Sequence, residues 1–159
     1  MNSIILSDRA SRFENEEYFP IRVVFDSSVE GIKHAGFYNG DEDLLEIAYD
    51  KETGKLKTIQ IVICHNYSII DSDYSLPVSC LGSDGDAIAV VDHFECPCFG
   101  MQIYNDCIVV TVSDHMISQY IRCGQVLFGI DEDKRIVSVI VSCLSKANVA
   151  HCIEELGMQ

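Results

Sequence analysis

The chain has 159 residues, of which 48% are hydrophobic, and its formal net charge at neutral pH is −14. This length is enough for one core, and the apolar content excludes a disordered acidic chain, which could not offset its chain entropy. The eleven lysines and arginines form no dense cluster, so direct binding of nucleic acid is disfavoured.

The sequence shows neither a signal peptide pattern nor an apolar run of membrane-spanning length. We therefore expect a cytoplasmic protein that does not contact a membrane. The eight cysteines lie partly within apolar runs, as Cys64, Cys107 and Cys143 do, and free cysteine behaves as a small buried hydrophobe. The prediction is reduced thiols in the core.

Strand signals dominate the first half of the chain, where β-branched and aromatic residues group between turn residues. Three strands are predicted at 21–25, 44–49 and 55–64, and the last two form a hairpin whose loop ends with Gly54. In the third strand Lys57 and Gln60 are predicted to face outward. The alternation slips at Thr58 and Ile59, which indicates a bulge there.

The second half continues the pattern, with strands predicted at 87–91, 101–104, 107–112, 125–130 and 135–144. The stretch 82–86 is a turn by composition. Asp114 is a candidate cap for a helix over 115–122, and the spacing of apolar residues predicts a second helix over 146–156 that Gly157 terminates.

These elements predict a single domain over residues 1–159, mainly β with one or two short helices. The architecture expected is an antiparallel β-sandwich or half-barrel built from hairpins. Two hairpins resemble each other, because each has an apolar strand closed by aspartate, Asp50 or Asp131, then a polar turn and a longer apolar strand. Two duplicated halves, about 20–66 and 76–145, are one interpretation. Convergent hairpin composition is the other.

A metal site has one candidate, the grouping of His93, Glu95, Cys96 and Cys98. A single residue between the two cysteines is too tight for the usual structural zinc geometry, so we predict no metal.

Glycine-rich phosphate loops are absent. Neighbouring cysteine and histidine residues on a strand point to opposite faces and do not make a catalytic pair. The sequence predicts no catalytic residues, no cofactor and no enzyme activity.

The stretch 58–121 contains no lysine or arginine and carries eight carboxylates. A field of one sign favours encounter with basic partners, and loops on a rigid scaffold commonly carry recognition. Aromatic anchors often dominate the energy of such interfaces. The predicted partner-binding residues are Asp71, Asp73, Asp84, Asp86, Tyr67 and Tyr74. Second choices are the hairpin acids Asp41, Glu42, Asp43, Asp131, Glu132 and Asp133.

A small, acidic, β-rich protein with apolar hairpins at 44–64 and 126–144 and no catalytic motif resembles the immunity proteins of bacterial polymorphic toxin systems, including contact-dependent growth inhibition. The resemblance implies a dedicated cognate toxin, one-to-one binding and blockage of its active site or substrate surface. Such toxins are often nucleases acting on transfer RNA, which implies a basic, RNA-cleaving partner.

Two alternatives stay open on the sequence. One is a small-molecule-binding or enzymatic β-barrel in which His93, Cys96 and Cys98 line a pocket. The other is an acidic mimic of nucleic acid, whose carboxylates would have to form two regular rows.

Overall fold

A computed structural model describes residues 2–7, 11–28, 30–77, 80–82 and 84–159, with side chains at all of these except 7, 80–82 and 84–86. These residues form fifteen strands and one helix. The strands are β1 Asn2–Ser7, β2 Arg12–Phe13, β3 Ile21–Val24, β4 Ile32–Asn39, β5 Asp43–Asp50, β6 Leu56–Cys64, β7 Tyr67–Ile69, β8 Cys80–Gly82, β9 Asp84–Val90, β10 His93–Glu95, β11 Gly100–Ile103, β12 Ile108–Thr111, β13 Gln119–Cys123, β14 Val126–Ile130 and β15 Ile136–Val141, and the helix is α1 Lys146–Gly157.

Two large sheets make up the molecule. The six-stranded sheet has the order β10-β4-β5-β6-β3-β2, and the seven-stranded sheet has the order β7-β11-β12-β15-β14-β13-β8. Most neighbours are antiparallel, whereas the short strands β10, β7 and β8 add to their sheets in parallel. The predicted mainly β fold with a C-terminal helix is confirmed.

A two-stranded ribbon of β1 and β9 joins the sheets. On one side Ile5 bridges to Lys55, just before β6, and its amide donates to the carbonyl of Gly54 at 2.8 Å. On the other side Ala89 bridges to Arg135, just before β15. The ribbon therefore links the turn of one long hairpin to the turn of the other.

The two sheets share one apolar core. Alternate residues along each strand point to it, since side chains on a strand alternate between faces. The six-stranded sheet contributes fully buried residues such as Ile47 and Ile61, and the seven-stranded sheet contributes Phe128 and Val139. Burying each such side chain stabilises the fold by about 1.5–3 kcal/mol relative to exposure.

Helix α1 closes one side of this core with Val149, Cys152 and Leu156. It begins after Ser145, whose hydroxyl accepts the amide of Asn148 at 3.1 Å, and the Asn148 side chain accepts the Ser145 amide at 3.2 Å. This reciprocal capping satisfies two donors at the helix start. No helix in the described part of the chain combines the length and the apolar character that a bilayer span requires.

The same order of connections recurs in both sheets. The order β2-β3-β6-β5-β4-β10 matches β11-β12-β15-β14-β13-β8, with a parallel strand at the same end of each. Strand β7, at the other end of the seven-stranded sheet, has no counterpart. In each sheet the long hairpin, β5-β6 or β14-β15, lies at the centre. This likeness describes the present fold, and common ancestry of the halves stays a prediction.

Aspartates close the turns of both long hairpins. Asp50 Oδ1 accepts the amides of Glu52 and Thr53 at 2.9 and 2.8 Å, and these hydrogen bonds lower the pKa of Asp50. Asp131 Oδ1 accepts the amides of Asp133 and Arg135 at 2.8 and 3.0 Å. Each carboxylate thus satisfies turn donors that would otherwise lack a partner.

The outer face of the seven-stranded sheet is apolar and covered. Val109, Leu127 and Ile140 form a second buried cluster there, and Tyr74 and Leu76 from the loop after β7 pack on it. This sheet is apolar on both faces, and the covering loop removes its outer face from water.

The predicted helix over 115–122 is wrong. Residues from Gln119 onward form β13, which pairs with β14 and buries Ile121 and Cys123 at the spacing of two that a strand requires. Ile117 packs against Gly129 of β14, where a Cβ would approach its Cδ1 to 2.9 Å. Sheet pairing and this packing outweigh the local helical spacing.

Strand β6 also differs from expectation at Lys57. Ala48 pairs with Thr58 and Tyr49 pairs with Leu56, so Lys57 is the extra residue of a bulge one position before the predicted one. Its side chain is 3% exposed, lines a small concavity on the outer side of the sheet with Gln60, and donates to the carbonyl of Ser28 at 3.0 Å. Its outward direction agrees with the prediction, although the segment after β3 covers it.

The predicted turn over 82–86 is also corrected, because β9 begins at Asp84 and pairs with β1. The side chains of Asp84 and Asp86 lie outside the described residues. Their backbone belongs to the joining ribbon and not to a loop.

Six cysteines with described side chains are free thiols: Cys64, Cys96, Cys98, Cys107, Cys143 and Cys152. Four of these are buried, which confirms the prediction of reduced core thiols for them, but Cys98 and Cys143 are exposed. Burial raises the pKa of Cys96, Cys107 and Cys152 to about 12, so these thiols stay protonated at neutral pH.

Replacement of Gly54 by alanine tests the junction between the ribbon and β6. Gly54 has φ +76°, and a Cβ there would lie 2.9 Å from the carbonyl oxygen of Ser3. We expect Gly54→Ala to lower the free energy of unfolding by about 3 kcal/mol. Gly40→Ala is the matched control, because Gly40 has φ +55° with open space around it. Gly40→Ala should lower the free energy of unfolding by only about 1 kcal/mol. Urea unfolding measures both variants. Equal losses would contradict the close approach of β1.

Acid unfolding tests the turn at Asp131. Burial alone would raise the pKa of this carboxyl, but hydrogen bonds from His115, Arg135 and Asp133 hold it below its usual value. Its stabilising contribution is therefore present at neutral pH and is lost as the pH falls below about 4 through the folded-state pKa.

We expect Asp131→Asn to cost about 1–2 kcal/mol at pH 7, with a smaller penalty at pH 3. The exposed Asp133→Asn should change stability by less than about 0.5 kcal/mol at pH 7. Unfolding curves at both pH values measure these differences. A penalty for Asp131→Asn that does not change with pH would contradict the assignment.

Candidate functional site

The outer face of the six-stranded sheet is open, whereas the outer face of the seven-stranded sheet is covered by the loop after β7. On β4, Ala35 and Phe37 point into the core, so His34, Gly36 and Tyr38 face outward. On β5, Glu46 faces the same way as Gly36, because the two residues pair directly across the strands. The face is therefore built from alternate residues of adjacent strands.

A depression of about 740 Å³ lies on this face. Gly36 forms part of its floor, because the missing side chain leaves a gap between His34 and Tyr38 along β4. Strand β10 forms one wall, where the amide of Gly36 donates to the carbonyl of Asp92 at 2.8 Å. The lining residues are Lys33, His34, Gly36, Tyr38, Gly40, Asp41, Asp43, Leu44, Glu46, Ile63, Asp92 and His93.

Glu46 is the central carboxylate of the face. Its Oε1 lies 3.2 Å from Nδ1 of His34 and accepts the side-chain amide of Gln60 at 2.9 Å. Gln60 in turn accepts from Arg22 at 2.7 Å, and Arg22 pairs with Glu16 at 2.8 Å. This row of contacts crosses four strands and fixes the position of Glu46.

Asp92 stands on the other side of Gly36. Its Oδ1 accepts the side-chain amide of Asn2 at 3.2 Å and lies 4.0 Å from Nζ of Lys33. The side chain is 57% exposed, so the ion pair with Lys33 is weak and screened by solvent. Asp92 is therefore accessible to a partner, as is the exposed Asp41 on the β4-β5 turn.

Asp43 has a structural role in the same depression. It is 1% exposed, its Oδ1 accepts the amides of His65 and Asn66 at 2.9 and 3.3 Å, and its Oδ2 accepts from Asn39 at 3.3 Å. These bonds tie the β4-β5 turn to the end of β6. As surface contact residues, Asp43 and the buried Asp131 were wrong second choices, because both use their oxygens to satisfy turn amides.

A smaller concavity of about 220 Å³ continues the open face toward β3. It shares His34 and Glu46 with the depression and adds Glu14, Arg22 and Asp26. The two concavities form one continuous polar surface across the sheet.

The predicted contact residues are not all brought together. Asp71 and Asp73 are exposed in the loop after β7, and the amide of Tyr74 donates to Asp106 at 3.0 Å, which holds this loop against the β11-β12 turn. Tyr74 packs in the outer cluster, with its ring centroid 4.7 Å from that of Tyr104. Tyr67 packs against the main core instead. The two tyrosines therefore do not flank one surface.

The grouping of His93, Cys96 and Cys98 is also separated. His93 lines the depression, whereas Cys96 is buried in the core and Cys98 is not among the lining residues. Within the described part of the chain, no three His, Cys, Asp or Glu side chains are placed to hold a metal ion.

The lining residues that the sequence did not single out include Gly36, Glu46 and Asp92. The alternation of buried Ala35 and Phe37 with outward neighbours was a usable signal for β4. The position of Asp92 had no such signal, because it depends on the parallel pairing of β10 with β4.

Comparison with known protein families found no family that matches the chain, and comparison with curated proteins found no match either. The function is therefore argued from the site itself.

Alanine at Gly36 tests whether this glycine is needed for the fold. A Cβ at Gly36 would make only ordinary contacts, 3.6 Å from the Asp92 carbonyl oxygen and 3.8 Å from Leu44 Cδ1. Because alanine loses less conformational entropy than glycine, we expect Gly36→Ala to stabilise the protein by about 0.5–1 kcal/mol. Gly129→Ala, also within a strand, should be destabilising, since its Cβ would lie 2.9 Å from Ile117. Urea unfolding measures both, and a loss of stability in Gly36→Ala would contradict the open floor.

Proposed function

We propose that this protein is an immunity protein of a bacterial polymorphic toxin system. In this proposal it acts in the cytoplasm, has no enzyme activity of its own, and neutralises a basic, RNA-cleaving toxin by covering the toxin's active or substrate-binding surface. The observation that carries the proposal is the open, concave and carboxylate-rich face of the six-stranded sheet.

Charge favours a cationic partner at this face. Four carboxylates and one lysine line the depression: Asp41, Asp43, Glu46, Asp92 and Lys33. The net charge of −14 adds a field of the same sign around the molecule. Such a field accelerates encounter with a basic protein and orients the two surfaces.

The target surface follows from the chemistry of RNA cleavage. A nuclease must hold phosphates, and lysine and arginine side chains are the groups that neutralise them. A protein with carboxylates on a rigid sheet can occupy those side chains in place of RNA. The row of contacts that fixes Glu46 supports this role, because a preorganised carboxylate loses little conformational entropy on binding.

The depression also supports a second candidate function, the binding of a small molecule. Its volume of about 740 Å³ is in the range of ligand pockets, and Tyr38, Leu44 and Ile63 supply apolar contact area. In that case the chain would bind a metabolite through the same face, and its acidic surface residues elsewhere would have no binding role.

Charge reversal tests the proposed surface. The partner to be tested is a basic nuclease domain encoded beside this gene, should the locus contain one, and the measurements are its affinity for the purified chain and its cleavage of transfer RNA. We expect the unmodified chain to inhibit cleavage. Asp41→Lys with Asp92→Lys should weaken binding roughly 100-fold, or about 2.7 kcal/mol, because two contacts become repulsive.

The matched control changes the charge equally at another exposed site, Asp71→Lys with Asp73→Lys, and should alter affinity less than about fivefold. Both variants should keep the thermal unfolding of the unmodified chain, since all four side chains are exposed. If the unmodified chain neither binds nor inhibits the nuclease, the proposed function is wrong. If only the control variant loses affinity, the contact surface is the loop after β7.

A further inference from the structure

We infer that an extended, basic segment of the partner pairs with the β10 edge, the side of β10 that faces away from β4, as a further strand of the six-stranded sheet. The inference rests on the proposed function for the identity of the partner, but the edge itself is argued from this chain alone. It adds a mode of binding, main-chain pairing, and the side-chain pattern that the partner segment should carry.

The β10 edge presents unpaired backbone groups. Strand β10 ends its sheet beside β4. The carbonyl just before β10 accepts the amide of Gly36 at 2.8 Å, and the amide just after β10 donates to the carbonyl of Tyr38 at 2.7 Å. Because the backbone groups of successive strand residues point to opposite sides, those of His93 and Glu95 point away from β4. Within the described part of the chain, no strand pairs with that side.

The side chains of this edge leave it accessible. Sheets often protect an edge strand with lysine or proline, and β10 carries neither. His93 and Glu95 are exposed, and they lie on the outer face because they pair with Gly36 and Tyr38 there. An added strand would therefore extend the open polar face beyond the wall of the depression.

The inner side of the same edge has an apolar recess. Phe94 points inward and is only partly buried, and its ring centroid lies 5.9 Å from that of Phe37. A cavity of about 100 Å³ lies beside it, lined by Phe37, Ala89, Val90, Val91, Phe94, Arg135 and Ile136. Paired residues of neighbouring strands point to the same face of a sheet. An apolar residue opposite Phe94 would therefore point toward this recess and complete the burial of the ring.

Charge decides which strand fits the edge. Asp92 and Glu95 place carboxylates at the two ends of β10, and the net charge of −14 opposes pairing between two copies of this chain. Lysine or arginine opposite His93 and Glu95 would lie on the outer face, beside the carboxylates that line the depression. The expected pattern is a basic, an apolar and a basic residue in succession, with the apolar residue opposite Phe94.

Titration of the whole protein with acetyl-Thr-Arg-Val-Arg-Thr-amide tests the edge, with backbone amide NMR shifts as the measurement. We expect saturable shifts centred on His93, Phe94 and Glu95. Acetyl-Thr-Glu-Val-Glu-Thr-amide should give no saturable shift, because its charge is repelled. Shifts centred on β7, or spread over the acidic surface, would overturn the inference.

Methylation of the peptide amides separates main-chain pairing from attraction between charges. In an antiparallel pair the amides of the two arginines face β10, and in a parallel pair the amide of the valine does. Methylating either set keeps the charge and removes the donors of one arrangement. One of the two methylated peptides should therefore bind more weakly by about tenfold or more. Full binding by both would overturn the inference.

A proline variant tests the same edge from the side of the protein. Glu95→Pro removes the outward amide donor and leaves the bonds to β4 in place, so it should weaken binding of the arginine peptide by about tenfold or more. Glu95→Gln is the matched control, because it loses the charge but keeps the donor, and it should weaken binding about threefold or less. Equal losses in the two variants would overturn the inference. If thermal unfolding shows that Glu95→Pro does not fold, the methylated peptides decide the question.

These results separate the inference from the proposed function. Peptide binding at β10 without any inhibition of the nuclease would support the edge and reject the immunity role. Inhibition of the nuclease that Glu95→Pro does not weaken would support the immunity role and reject the edge.

Discussion

The constraint on which this structure depends is that each sheet must bury one apolar face, and the two sheets meet this requirement by packing on each other. Ile47 and Ile61 from one sheet and Phe128 and Val139 from the other lie in the same buried cluster. Alternation along the strands then decides what the outside of each sheet presents. The candidate functional surface is therefore an outer face that this packing does not use.

The two outer faces differ in chemistry. Val109, Leu127 and Ile140 make one face apolar, and the loop carrying Tyr74 covers it. The other face carries the row from Arg22 to Glu46, whose polar groups are satisfied by one another and by solvent. A polar face needs no cover for stability, so it remains accessible for recognition.

The sequence predicted the long hairpins and helix α1 because their signals are local: charged turns between apolar runs, and apolar residues at helical spacing followed by Gly157. It failed where pairing between distant segments decides the structure. The stretch 115–122 has helical spacing, but Gln119 to Cys123 forms a strand beside β14, and Lys57 is buried at a bulge. Of the residues that line the candidate site, the sequence singled out only Asp41, Asp43 and His93, and Asp43 has a structural role there. Glu46 and Asp92 become neighbours of Gly36 only after β4, β5 and β10 have assembled.

The β1-β9 ribbon also sets the order in which this protein can acquire its structure during synthesis. Ile4 pairs with Ile88, so β1 emerges from the ribosome long before its partner does. Until then the first sheet has an exposed apolar face and an unpaired strand, which are the features that invite association between nascent chains. Topologies dominated by such distant contacts fold slowly. The high net negative charge opposes this association, because nascent chains of like charge repel one another before β9 has been synthesised.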